Sequence, residues 1–117
     1  MITIYGIRNC DTVRKARRWL TDKGVDHHFH DLRTDGLDRK TLSSWMDRLH
    51  WQDLLNRRGT TWRKLPETDR ANVDDHSAVD LMLKHVTLIK RPIVRIGTAG
   101  PVVVGFSPED WELLLDV

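Results

Sequence analysis

The order of elements in the first thirty-odd residues constrains the fold more than any other feature of this chain. Residues 1–5, Met-Ile-Thr-Ile-Tyr, make a short β-prone run closed by Gly6. Residues 8–12 form a polar turn that holds the only cysteine, Cys10. Val13, Ala16 and Leu20 then recur at helical spacing, with Trp19 bordering the stripe and Arg14, Lys15, Arg17 and Arg18 on the other face. Gly24 suits the position just past a helix end. Residues 25–31, with Phe29 and three His, read as a second strand. Strand, helix, strand in that order is a βαβ unit. Its strands are expected to run parallel, joined by a right-handed crossover.

Asp35-Gly36 marks a turn. Asp38 can cap a helix carrying Leu42, Trp45, Met46 and Leu49 on one face. Residues 51–56 look like a further helical turn, and residues 56–65 like a basic loop containing Gly59. Residues 67–73 suggest a short helix. Residues 77–86 suggest a better one, with Val79, Met82, Leu83 and Val86 on one side. The middle of the chain, about residues 38–86, is therefore expected to be a helical block. Residues 88–96 resume β character, and after a turn at 97–101 residues 102–106 do so again. The short connection makes this pair an antiparallel hairpin. Ser107, Pro108 and Asp110 open a last helix as N-cap, first helical residue and acidic third residue. Trp111, Leu114 and Leu115 form its apolar side. No repeat or linker interrupts the chain. The expectation is a single α/β domain over residues 1–117, β-α-β, helical insertion, β-β-α, around one mixed sheet of about four strands.

Composition agrees with that picture and narrows the function classes. The chain has 117 residues, 39% hydrophobic and 31% charged, enough apolar side chains to bury a core. A net charge of +2 is too balanced to argue for nucleic acid or an anionic membrane. No apolar run is long enough to cross a bilayer, and the first residues lack the basic-then-apolar pattern of an export signal. A lone thiol excludes an internal disulfide and a Cys-rich zinc site. It fits the cytoplasm, where thiols stay reduced. Of the 19 Lys and Arg residues, thirteen are Arg, whose planar fork suits oxyanions.

The chemistry is expected where the first strand ends and the first helix begins. A helix N-terminus offers unpaired N–H groups and the positive end of the helix dipole, and both favour a thiolate over a thiol. Arg8 and Arg14 add positive charge nearby, and Asp11 opposes it. Cys10 is thus a candidate nucleophile, although a small apolar filler would occupy the same place. Arg91-Pro92 is the second candidate. Pro92 starts a strand, where proline is allowed, and Arg91 could be presented to an anionic ligand. The third is the basic stretch with Arg57, Arg58, Arg63 and Lys64, which could equally be a solvated surface. His28 and His30 share a strand face, but two His without a placed third ligand do not make a metal site, so no metal is expected.

Four segments in order carry a family resemblance. They are Ile4-Tyr5-Gly6-Ile7-Arg8-Asn9-Cys10-Asp11-Thr12-Val13-Arg14-Lys15-Ala16, then Gly59-Thr60-Thr61-Trp62-Arg63-Lys64-Leu65, then Ile89-Lys90-Arg91-Pro92-Ile93-Val94, then Val104-Gly105-Phe106. Together they resemble the ArsC/Spx family, and within it the YffB-type branch of small reductase-like proteins. The resemblance implies a thioredoxin-like fold with a helical insertion. It implies that Cys10 is the nucleophile, that Arg91 is the arginine before the active-site proline, and that Pro92 is cis. The chain also departs from the family. Arsenate reductases of this type carry an arginine directly after a Leu-Leu pair, where this chain has Asn56. They carry another late in the hairpin, where it has Gly105. Two of three oxyanion-binding arginines are therefore missing or displaced, which weakens the case for arsenate. Many Spx-type regulators have a Cys-x-x-Cys switch, and here Val13 replaces the second cysteine. The further C-terminal tail of Spx is also not expected.

A lone nucleophilic thiol leaves a mixed disulfide or adduct that another thiol must resolve. The expectation is a glutathione-dependent thiol reductase. Glutathione is its co-substrate rather than a bound cofactor, a glutaredoxin is a possible partner, and the substrate is a disulfide or a small oxidised molecule. Around Cys10, Asn9, Asp11 and Thr12 would line the helix start. Arg91, helped by Arg8 and by Arg57 or Arg58, would hold a carboxylate, and Pro92 would shape the site. The alternatives are an Spx-like regulator that contacts RNA polymerase without catalysis, and an arsenate reductase.

Overall fold

The computed structural model describes all 117 residues. The chain falls into two compact units, residues 1–35 with 91–117, and residues 36–90.

The first unit is the sheet unit. Strand β1 (Ile2–Gly6) leads into helix α1 (Asp11–Asp22) and strand β2 (His27–Asp31); after the second unit come β3 (Ile93–Ile96), β4 (Val102–Val104) and the last helix, α7 (Pro108–Leu115). The sheet order is β2-β1-β3-β4. β1 and β2 are parallel, and β1–β3 and β3–β4 are antiparallel. The βαβ unit, the closing hairpin and the four-stranded mixed sheet of a thioredoxin-like α/β fold are all present. Register explains the core. Ile4 pairs with Phe29 on one side and Val94 on the other, and Val94 pairs with Val103. That row packs with Ala16, Leu20 and Trp111. Trp19, Phe106 and Trp111 meet edge to face, with ring centroids 4.8–6.2 Å apart, the arrangement aromatic quadrupoles favour.

Helix α1 stops as its sequence requires. Gly24 N–H bonds to Thr21 C=O at 3.0 Å and Val25 N–H to Leu20 C=O at 2.9 Å, which is a Schellman ending. The entry to α1 is fixed by a close approach. A Cβ on Gly6 would lie 2.7 Å from Val13 Cγ2, so the strand end can sit against the helix only because residue 6 has no side chain.

The second unit is helical: α2 (Arg39–Met46), α3 (Trp51–Leu54), α4 (Thr60–Lys64), α5 (Glu67–Arg70), α6 (Asp75–Lys84) and a 3₁₀ turn (Val86–Leu88). Leu42, Trp45, Leu54, Leu55, Ala78, Met82, Leu88 and Ile89 are buried in it. Asp38 caps α2 by accepting the Thr41 N–H at 2.8 Å, and Asp74 caps α6 through a reciprocal pair with Ser77.

Three sequence expectations are corrected here. The stretch read as a loop at 56–65 contains helix α4, which starts from an extended Gly59. The helix read over 77–86 starts earlier, at Asp75, and ends at Lys84, with Val86 in the 3₁₀ turn. The β character read over 88–96 is confined to β3 and to one bridge, Leu55 with Ile89, inside the second unit. A short apolar run between polar residues looks the same whether it pairs as a strand or is buried as a turn.

Candidate functional site

Gly6 ends β1, and the chain then leaves the sheet through buried Ile7 and exposed Arg8 and Asn9 to reach half-buried Cys10. Cys10 is the N-cap of α1. Its backbone is extended, at φ −139° and ψ 122°, and its carbonyl accepts the Arg14 N–H at 3.0 Å. Its side chain makes no capping hydrogen bond. The first N–H groups of α1 are therefore not satisfied by a side chain of their own N-cap. Asp11 and Thr12, the first two helical residues, are exposed. Arg14, expected to add positive charge, is ion-paired with Asp11. The pair offsets itself at the helix start.

The register brings Arg91 and Pro92 to the same end of the sheet. Tyr5 pairs with Ile93, so Pro92, just before β3, lies beside the end of β1 from which the thiol loop departs. The Arg91–Pro92 peptide bond is cis. Pro92 is buried, and its carbonyl accepts the Gly105 N–H at 2.8 Å. Gly105 has φ +84°. A residue with a side chain is strained in that conformation, so glycine suits the position.

Arg57 and Arg58 belong to the second unit. With Asn56 and Lys90 they line a cavity of about 340 Å³. Two main-chain bonds build it: Asn56 N–H to Leu88 C=O at 2.7 Å, and Lys90 N–H to Leu54 C=O at 2.8 Å. They hold the segment before Arg57 against the segment before Lys90. Asn56 Oδ1 accepts the Arg58 N–H at 3.0 Å. The Arg57 guanidinium lies 5.7 Å from the centre of the Trp51 ring. The lining carries three cationic side chains and no carboxylate, and it suits an anion.

Sequence reasoning missed one residue, Asp31. It is 2% exposed, at the end of β2. Its Oδ2 accepts the Arg8 backbone N–H at 3.0 Å, and its Oδ1 accepts those of Arg33 and Thr34 at 2.8 and 3.2 Å. Burial pushes this carboxyl up, but the N–H groups of Thr34, Arg8 and Arg33 and the charge of Arg8 outweigh it. The net pKa is below the usual aspartate value. The only local signal was an Asp ahead of a turn. Its contact with the thiol loop spans 23 residues. No group of three or more His, Cys, Asp or Glu could hold a metal ion.

Comparison with known proteins places this geometry. The ArsC family pattern matches residues 5–114. The chain belongs to the ArsC family. Among solved structures it is similar to a YFFB protein, with 42% identity, a TM-score of 0.91 and 97% of each chain covered. It is also similar to an arsenate reductase (ArsC) related protein from Brucella melitensis, at 48% identity, a TM-score of 0.76, and 99% and 95% of the two chains. Among relatives, the global transcriptional regulator Spx of Streptococcus pyogenes is 30% identical over 80% of this chain and 71% of its own length. The ArsC family thus holds relatives named both as reductase-related and as a regulator. No helix of the chain is long and apolar enough to cross a membrane.

Proposed function

We propose that this ArsC-family protein is a glutathione-dependent thiol reductase with Cys10 as its single nucleophile. The observation that carries the reading is the placement of Cys10. It caps α1 without a side-chain capping bond, half-buried, at the sheet end where the Arg91–Pro92 segment also lies. In that position the sulfur stands beside N–H groups of the first turn that no capping side chain satisfies.

The Cys10 thiolate attacks one sulfur of a substrate disulfide. The S–S bond breaks, the other sulfur leaves as a thiolate, and Cys10 is held in a mixed disulfide. The chain has no second cysteine to resolve it. A first glutathione thiolate then attacks Cys10 Sγ and releases the second substrate thiolate. A second glutathione, or a glutaredoxin, attacks the glutathione sulfur of the Cys10–glutathione disulfide, releases the Cys10 thiolate and carries the disulfide away. Each cycle reduces one disulfide and oxidises two external thiols. Asn9, Asp11 and Thr12 line the start of α1, Pro92 shapes the edge of the site, and Arg91 and Arg8 offer positive charge to a glutathione carboxylate. Arg57 and Arg58 offer the same chemistry in the second unit's cavity. No bound cofactor is required. A reducing cytoplasm is the compartment in which such a cycle runs.

Intact-mass spectrometry after brief exposure to oxidised glutathione tests the reading. One glutathione adduct, absent in Cys10→Ser, is the expected result, with glutathione-dependent disulfide turnover also lost in that variant. A Cys10 that stays unmodified, or turnover that survives the substitution, sinks it. Arsenate-dependent glutathione oxidation is expected to be absent, since Asn56 and Gly105 stand where arsenate reductases place arginines.

The similarity to Spx favours one second reading, a regulator that contacts RNA polymerase. Capture of a polymerase subunit that persists in Cys10→Ser, from a protein with no thiol turnover, would establish it.

A further inference from the structure

Beyond Gly6 and Asp31, a register pair at the ends of β1 and β2, the two chains part. Leu32 N–H still reaches Gly6 C=O, at 2.8 Å. The Arg8 N–H has no strand to pair with, and the Asp31 carboxylate takes it. We propose that Asp31 is the positioning residue of the thiol loop: by holding the Arg8 backbone N–H, it delivers Cys10 to the start of α1 in one fixed placement.

The two carboxylate oxygens have different duties. Oδ1 serves the turn that follows β2, through Arg33 and Thr34. A turn of that kind needs only one side-chain oxygen, and asparagine supplies it as well as aspartate. Oδ2 is surplus to the turn, and it is the atom that holds Arg8. The carboxylate is also buried with no ion-pair partner. A group of that kind destabilises a fold unless its hydrogen bonds offset the desolvation. Its three backbone donors do so, and one of them lies two residues from the nucleophile. At the other end of the loop, Cys10 is held through its carbonyl by Arg14 N–H. Asn9, between these anchors, is exposed. The thiol is placed by one anchor inside the helix and one on the sheet, and Asp31 is the sheet anchor.

The proposal rests on the reading of Cys10 as the reactive thiol, and the test is arranged to separate the two. Asp31→Asn keeps the turn but sets an amide N–H₂ against the Arg8 N–H. Two measurements are made on the full chain. One is amide exchange at Arg8, and the other is the rate at which oxidised glutathione modifies Cys10. The expected result is Arg8 exchange faster by about tenfold or more, with strand amides unchanged, because only a local opening is eased. Cys10 modification should slow several-fold. A purely electrostatic role gives the opposite sign. Deleting a negative charge favours the thiolate and the approach of anionic glutathione, so modification would speed up. Faster or unchanged modification overturns the proposal, as does a slowing that only tracks loss of protection across all strands. If the variant fails to fold, the wild-type protein still decides: an Arg8 amide that exchanges as freely as that of exposed Asn9 overturns the tether. A wild-type Cys10 inert to glutathione overturns the reductase reading instead, while the Arg8 amide continues to test the tether.

Discussion

The two units use their polar groups in opposite ways. In the helical unit they close the ends of secondary structure. Asp38 and Asp74 cap α2 and α6, and Arg39 bonds Asp80 at 2.5 Å across the surface. In the sheet unit, Ser107 caps α7 in the ordinary way. The polar inventory beside α1 is different. A cysteine sits where a capping Ser or Asp would be expected, and a buried aspartate is aimed at the loop before it. The contrast teaches where stability was set aside. The two longest helices of the helical unit, α2 and α6, start under side-chain caps, and the sheet unit leaves the start of α1 uncapped beside its only thiol.

The largest effects test whether each unit has its own core. Trp45 and Trp111 are 1% and 2% exposed, one in each unit. Replacing either with Ala should destabilise its unit by about 3–5 kcal/mol, from lost burial and the cavity left behind. Hydrogen exchange read segment by segment should show Trp45→Ala loosening α2 and α6 first. Trp111→Ala should loosen α1, β3 and α7 first. Equal loss of protection everywhere in both variants would break the comparison and make the chain one cooperative unit.

Acid should separate the units on a smaller scale. A carboxyl with a depressed folded pKa stabilises the fold above its unfolded value, near ~3.9, and that contribution is lost as pH falls through the folded value. Asp31 is such a group, and buried. Protonating it puts an O–H among backbone donors, a loss of about 1–3 kcal/mol. Asp74 and Asp80 in the helical unit are also lowered, by Ser77 and by Arg39, but they lie at the surface. Between pH 6 and pH 2, the strands next to Asp31 should lose protection more steeply than α6. In Asp31→Asn that excess should vanish. An excess that persists in the variant would assign the acid sensitivity of the sheet unit to another group.

What could be read from the sequence follows from how local each signal is. Asp38, Ser107 and Gly24 announce helix ends within four residues of themselves, and each does what its residue type suggests. The short β-prone runs that hold Ile4 and Val94 are equally local, so the order of strands and helices was legible. Cys10 could be placed at a helix start for the same reason. Asp31 could not be found, because its partner Arg8 is distant in sequence and contributes a backbone N–H that every residue type but proline carries. Arg14 looked available to a thiolate, and only the structure shows it committed to Asp11. The apolar stretch at 88–89 was misread because burial, not pairing, keeps it apolar. Leu88 sits in a 3₁₀ turn, and Ile89 makes one bridge.

The smallest prediction bears most directly on why α1 starts as it does. Serine is a preferred N-cap because its hydroxyl oxygen accepts an N–H of the first turn, and cysteine is a weaker acceptor. Cys10 already has the extended backbone that an N-cap requires, and Ser107 shows serine in that role, accepting the Asp110 N–H at 3.4 Å. Cys10→Ser should therefore stabilise the sheet unit, by about 0.5–1 kcal/mol. In a domain of this size that is a rise of roughly 2–6 °C in melting temperature. The same substitution removes the thiol on which the proposed chemistry depends. A position where one side-chain atom improves the fold and abolishes the reaction is one kept for reactivity at some loss of stability. If Cys10→Ser instead melts lower than the wild type, sulfur is serving as packing there. The contrast between the open start of α1 and the closed starts of α2, α6 and α7 would then reflect the core rather than the chemistry.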